Sequence, residues 1–129
     1  MLALVGSTRK QFVSNLEEFL KKHDHVWSGW TYRILPRDLV QLEEQKKELG
    51  YFLLYFHYRK SCGGSGDIES IAEIDDWSTD TGSLESPEPS YTIQDELDWY
   101  NQKNVAPAKT WVRITQVNYP RLPPRASKD

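Results

Sequence analysis

Residues 51–58 read YFLLYFHY, and residues 67–74, after the insert RKSCGGSG, read DIESIAEI. The first run is almost continuously apolar, too short for a typical helix, and rich in the aromatic types that favour strands. A strand covered on both faces reads this way. The insert is dominated by glycine and serine and reads as a loop. The second run resumes strand character, with Ile68 and Ser70 alternating imperfectly against Glu69 and Ile71. The two runs predict an antiparallel hairpin with a long connection.

Upstream, residues 8–22 carry helix signals. Thr8 and Gln11 have capping-box spacing, Phe12, Leu16, Phe19 and Leu20 recur on one helical face, and Lys21 and Lys22 complement the C-terminal dipole. Residues 2–5 (LALV) read either as a short buried strand or as a lead-in. Residues 26–34 (VWSGWTYRI) are aromatic and β-branched and predict a strand, in which Gly29 marks a bulge or a close backbone approach. Pro36 opens a second, mostly charged surface helix that stops at Gly50, a natural C′ residue.

Downstream, the polar stretch 75–91 (DDWSTDTGSLESPEPSY) is a long loop of the kind that is either functional or disordered. Thr92 and Asp95 read as the cap of a helix over 92–102, with Ile93, Leu97 and Tyr100 on one face. Residues 110–117 (TWVRITQV) form the last strand, with Trp111, Arg113, Thr115 and Val117 alternating against Val112, Ile114 and Gln116; Trp111 is read as core. With no repeat and no second core, the expectation is one α+β domain over residues 1–122 and a polar, frayed tail over 123–129.

At 129 residues the chain can bury a single core, and its formal charge of −3 argues against a non-specific polyanion coat while leaving room for one local basic patch. Cys62 is the only cysteine, which excludes an intramolecular disulfide and fits a reducing, cytoplasmic setting. No apolar run approaches the roughly 18–20 residues of a membrane span, and MLALV is too short for a signal-peptide core, so no membrane association is expected.

Patterns for chemistry are sparse. His23, Asp24 and His25 lack zinc-ligand spacing and read as a solvated helix terminus, and His57 reads as a strand histidine. Glu69, Glu73, Asp75 and Asp76 cluster along one strand and its exit and read as solvated or structural carboxylates; none of these four is followed downstream by a nuclease-type Glu-x-Lys. The GGSG of 63–66 is not a phosphate loop. No enzyme, metal or cofactor is therefore expected. Five Trp and seven Tyr remain to be explained. Trp77 and Trp99 lie among polar residues, unlike core, and aromatic walls with a few polar directors suit a planar ring or a methylated group.

The order of elements resembles the PUA-like superfamily that includes the EVE, ASCH and YTH domains. Carrying the resemblance are VWSGWTYRI, similar to a first-strand region with a tryptophan pocket wall; YFLLYF…GSGDIESIAEI, similar to an apolar strand returning as a G-x-AE-type strand; and TWVRITQVNYPRLP, similar to the closing strand and its turn. It covers most of residues 26–122 and implies a curved, mostly antiparallel sheet, partly closed as a barrel and flanked by helices, of about five or six strands.

The function so implied is recognition of a modified, methylated base flipped into an aromatic cage. Trp27, Ser28, Trp30, Tyr32, Trp77 and Trp99 would hold the base, and Arg33, Arg59, Lys60, Lys109 and Arg113 the phosphates. The implied partner is nucleic acid, DNA rather than RNA, and similar modules serve modification-dependent restriction systems of the Mcr type beside a separate motor and nuclease. Two alternatives stay open: a protein-interaction module that does not bind nucleic acid, and a small PUA-like hydrolase using Asp75 or Glu73.

Overall fold

The computed structural model describes residues 4–58 and 68–119. The RKSCGGSG insert with Arg59, Lys60 and Cys62, and the tail 123–129, lie outside the described residues. The strands are β1 (Leu4–Thr8), β2 (Val26–Trp30), β3 (Phe52–Tyr58), β4 (Ile68–Thr79) and β5 (Thr110–Asn118). The helices are α1 (Lys10–Leu20), α2 (Pro36–Leu49) and α3 (Gln94–Tyr100), with a short 3-10 helix at Pro89–Tyr91.

The strands form one curled, mixed sheet in the order β1-β3-β4-β5-β2, so the architecture is α+β. The hairpin read from YFLLYFHY and DIESIAEI is present: β3 and β4 pair antiparallel, as do β4 with β5 and β5 with β2. β1 pairs with β3 in parallel, and α1 is the crossover between β1 and the far edge of the sheet. No helix among the described residues is long and apolar enough to cross a membrane.

The main core lies on the face covered by α1 and α2. Val13 and Leu16 from α1 and Leu42 from α2 meet Val26, Phe52, Leu54, Ile74, Val112 and Ile114 from the sheet. A second, smaller core of Trp27, Ala108 and Trp111, bordered by Leu84, Tyr91 and Tyr100, lies on the opposite face under the chain from residue 84 to α3. Alternation along β5 decides this split, sending Trp111 to one core and Val112 and Ile114 to the other.

Two irregularities in the β4–β5 ladder re-aim side chains. Asp75 on β4 and Thr115 on β5 have no partner in the β4–β5 register, which steps from Glu73–Gln116 to Ile74–Ile114 and then to Asp76–Arg113. A bulged residue inverts the alternation beyond it. Ile74 and Trp77, three apart, therefore both pack on the main core, as do Ile114 and Val117. This corrects the reading that placed Val117 with Trp111 and Arg113. No such shift occurs in the β2–β5 register, so Gly29 marks a close approach rather than a bulge. A Cβ there would lie 3.0 Å from two ring carbons of Trp111.

The helix ends differ from their expected caps. α1 begins at Lys10 because β1 already uses Thr8; its N-cap is Arg9, without a side-chain cap, and Gln11 Nε2 donates to Asn15 Oδ1 instead. α3 has Ile93 as its N-cap, because the Thr92 hydroxyl is engaged with the Glu88 carbonyl and Ser86. α2 matches its reading, with Pro36 in the first turn and Gly50 at φ 86° beyond the last. β2 stops at Trp30 rather than residue 34: Thr110 Oγ1 donates to the Tyr32 carbonyl and the Ile34 amide to Thr79 Oγ1, folding the chain into α2.

Candidate functional site

β2 is an edge strand, and an unpaired edge would expose a row of amides and carbonyls. Segment 88–100 covers it. Thr92 makes a parallel bridge to Trp27, the Gly29 amide donates to Glu96 Oε1, and the Tyr100 hydroxyl donates to the Gly29 carbonyl at 2.9 Å. Ser28 Oγ also donates to Glu96 Oε1, at 3.3 Å. Glu96 and Tyr100 are one helical turn apart, so one face of α3 supplies both partners to one residue of the edge.

Glu96 is 8% exposed, and its buried Oε2 has no hydrogen-bond partner among the described residues. Burial pushes its carboxyl up to about 7, against the smaller opposing effects of the Gly29 and Ser28 bonds. The Tyr100 phenol is pushed up to about 12, by burial first and then by the Glu96 charge.

A second network lies at the start of β2. Glu88 Oε1 accepts from Trp27 Nε1 at 2.8 Å and lies 2.9 Å from His25 Nε2. His25 Nδ1 lies 2.7 Å from Asp24, and its ring stacks on Tyr91 at 4.2 Å. The bonds from Trp27 and then His25 hold the Glu88 carboxyl below the usual glutamate range. On the same sheet face Arg113 makes a two-point contact with Asp75, at 2.7 and 3.2 Å, with its guanidinium 5.9 Å from the Trp27 ring centre.

Beside these networks is an open cleft of about 430 Å³ between α3 and the chain over 83–89. Its walls include Leu84, Ser86, Gln94, Leu97, Tyr100 and Trp111. Tyr100 and Trp111 meet edge to face at 5.6 Å, and Trp111 Nε1 is satisfied by the Leu84 carbonyl. Trp111 is buried behind the wall, so the half-buried Tyr100 is the aromatic ring that the cleft presents, among polar neighbours. Asn101, also on the wall, is exposed, and its side chain makes no hydrogen bond to a described residue.

The expected cage residues are dispersed. Trp27 is buried in the second core, while Trp30 and Trp77 pack on the main core across the sheet. Trp30 stacks on the exposed Tyr32. Trp77 meets Phe52 edge to face and lies under the Lys46 ammonium, in a shallow groove with Glu43, Lys47 and Asp76. Ser28 is buried on Glu96, and Trp99 is 53% exposed on α3. Among the expected phosphate contacts, Arg33 is exposed, Lys109 is half-buried and Arg113 is paired with Asp75. Arg59 and Lys60 lie outside the described residues.

Asp75 is held by Arg113, and Glu73 accepts from Asn118. No group of three or more potential metal ligands occurs among the described residues. Glu88, Glu96 and Tyr100 do not stand out in the sequence as site residues. No local pattern marks a glutamate that will meet a strand edge from a helix sixty-seven positions away. No protein-family profile, curated protein or solved structure matches this chain.

Proposed function

We propose that this chain is a binding module that takes a planar, uncharged ring, a nucleobase presented by a nucleic acid, in the cleft beside α3, and that it catalyses no reaction. The observation that carries this reading is the cleft itself: about 430 Å³, with the Tyr100 ring in its wall, backed by the buried Trp111, and the exposed Asn101 side-chain amide beside it. That volume falls within the roughly 300–1,000 Å³ of small-ligand sites. Stacking on an aromatic wall contributes about 1–3 kcal/mol per base, and an amide side chain can read the hydrogen-bonding edge of the ring. The three most engaged carboxylates, Asp75, Glu88 and Glu96, are committed to Arg113, to Trp27 with His25, and to the β2 edge, which favours binding over catalysis.

Glu85 on the cleft wall and the formal charge of −3 disfavour phosphate as the anchor. The reading therefore requires weak salt dependence, unlike binding through phosphates, which loses affinity steeply as salt rises. The test is calorimetric titration of nucleosides and single-stranded oligonucleotides, methylated and unmodified, at two salt concentrations. Expected is base-dependent binding that changes little with salt and weakens about fivefold in Asn101→Ala, the equivalent of one hydrogen bond of about 1 kcal/mol. Absence of binding by any nucleoside or oligonucleotide, or binding indifferent to Asn101→Ala, overturns the reading.

A further inference from the structure

The fold puts a carboxyl group where an ordinary edge-covering segment would put an amide or hydroxyl. Glu96 reaches from α3 to the β2 edge, satisfies the Gly29 amide and the Ser28 hydroxyl through one oxygen, and leaves the other buried and, among the described residues, unpartnered. A hydroxyl at that position is an unmade bond; a full negative charge there is far more costly.

We propose that Glu96 is a proton-operated latch: protonated, it holds α3 on the β2 edge and keeps the wall of the cleft in place, and ionised, it releases the helix. The consequence for the cleft is geometric, because Gln94, Leu97, Tyr100 and Asn101 reach its wall from α3 or its end. Only the link from latch to ligand rests on the ring-binding reading; the latch itself does not.

The groups around Glu96 leave it without a compensating charge. β2 offers the uncharged Gly29 amide and Ser28 hydroxyl, and α3 offers the Tyr100 phenol, whose own ionisation is displaced to about 12. Glu88, on the segment before α3, faces Trp27 and His25, while Arg113 on β5 faces Asp75. No cation pairs with Glu96 among the described residues.

The direction follows from linkage. The carboxyl titrates at about 7 with the helix docked, against 4.5 for the free side chain. Docking is thus fully supported below about 4.5, loses support as pH rises through the interval, and has lost it above about 7. Within that interval the opening equilibrium grows by up to about tenfold per pH unit, because the released carboxyl ionises while the docked one stays protonated.

The experiment is native-state hydrogen exchange on the full chain between pH 4.5 and 8, reading protection factors of the Gly29 amide and the α3 amides. Protection should fall by up to about tenfold per pH unit toward neutrality and level off above it. Glu96→Gln, which keeps the accepting oxygen and cannot ionise, should remove that slope. A flat wild-type profile, or the same slope in the variant, overturns the proposal. If Glu96→Gln does not fold, the carboxyl ¹³C titration of the wild type decides, with a midpoint near 7 expected and one in the ordinary glutamate range of about 4.3 overturning the latch. Adenosine titrated in parallel at pH 5 and pH 8 separates the two readings: with the latch intact it should bind more weakly at pH 8. Failure to bind at either pH removes the ring-binding reading and leaves the exchange profile to judge the latch.

Discussion

Gly29 meets three constraints at once: its amide and carbonyl face α3, and its α-carbon lies under the Trp111 indole. Adding a methyl group there pushes on a rigid, almost fully buried ring that has no free end to swing aside. Gly29→Ala should cost about 1–3 kcal/mol, the usual range for overpacking, seen as a lower denaturant midpoint with unchanged m-value. The tryptophans separate in the same assay. Trp111, 1% exposed, should cost about 3–5 kcal/mol on replacement by alanine, as large buried aromatics do. Trp99, 53% exposed, should stay within about 0.5 kcal/mol, as a surface change does. A large loss at Trp99 would place a hidden partner against α3. The polar neighbours of Trp77 and Trp99 in sequence make both look unlike core; of the two only Trp99 is mostly exposed, because the Asp75 bulge turns Trp77 onto the main core.

Elements are held by local rules where contacts are local. α2 obeys its sequence from end to end, with Pro36 at its start, Leu42 buried and Gly50 in the left-handed region. No atom of the described residues lies within 4 Å of a Cβ built on Gly50, so the constraint they place on it is conformational alone. Gly50→Ala should therefore cost about 1 kcal/mol, measured by thermal or chemical unfolding. α1 and α3 depart from their expected caps because Thr8 and Thr92 are claimed elsewhere, one by β1 and the other by the 86–92 turn. A capping box is a pattern of side-chain competence, and strand pairing or a non-local hydroxyl contact can outbid it. α3 also shows what periodicity misses: Ile93, Leu97 and Tyr100 are legible as an apolar face, yet Glu96 beside them is the residue that ties the helix to the sheet.

At the scale of the molecule, two glutamates near the β2 edge give opposite responses to pH. Glu88, its carboxyl held low by Trp27 and His25, adds stability that is present above the ordinary glutamate range and lost as pH falls through its lowered value. Glu96, its carboxyl raised, adds stability that is present in acid and lost as pH rises to about 7. Melting temperature measured from pH 3 to pH 8 should accordingly lose its decline between about 5 and 7 in Glu96→Gln, while Glu88→Gln should soften the fall on the acid side. The same slopes in both variants and the wild type would show that other groups govern the profile.

Hydrophobic rhythm and turn chemistry were enough to specify the α+β class, the β3–β4 hairpin, α2 with its ends, and the burial of Trp111, because each depends on neighbours within a few residues or on bulk apolarity. The faces of the tryptophans depended on something else. Two of them three positions apart on β2 diverge for want of a bulge, while a bulge at Asp75 brings Ile74 and Trp77 together, and a bulge is set by the partner strand. The cleft and the Glu96 contact come later still. They exist only once β2 has become an edge and the chain after β4 has folded back across it, so they belong to the order of strands in the sheet, which no local stretch of residues encodes.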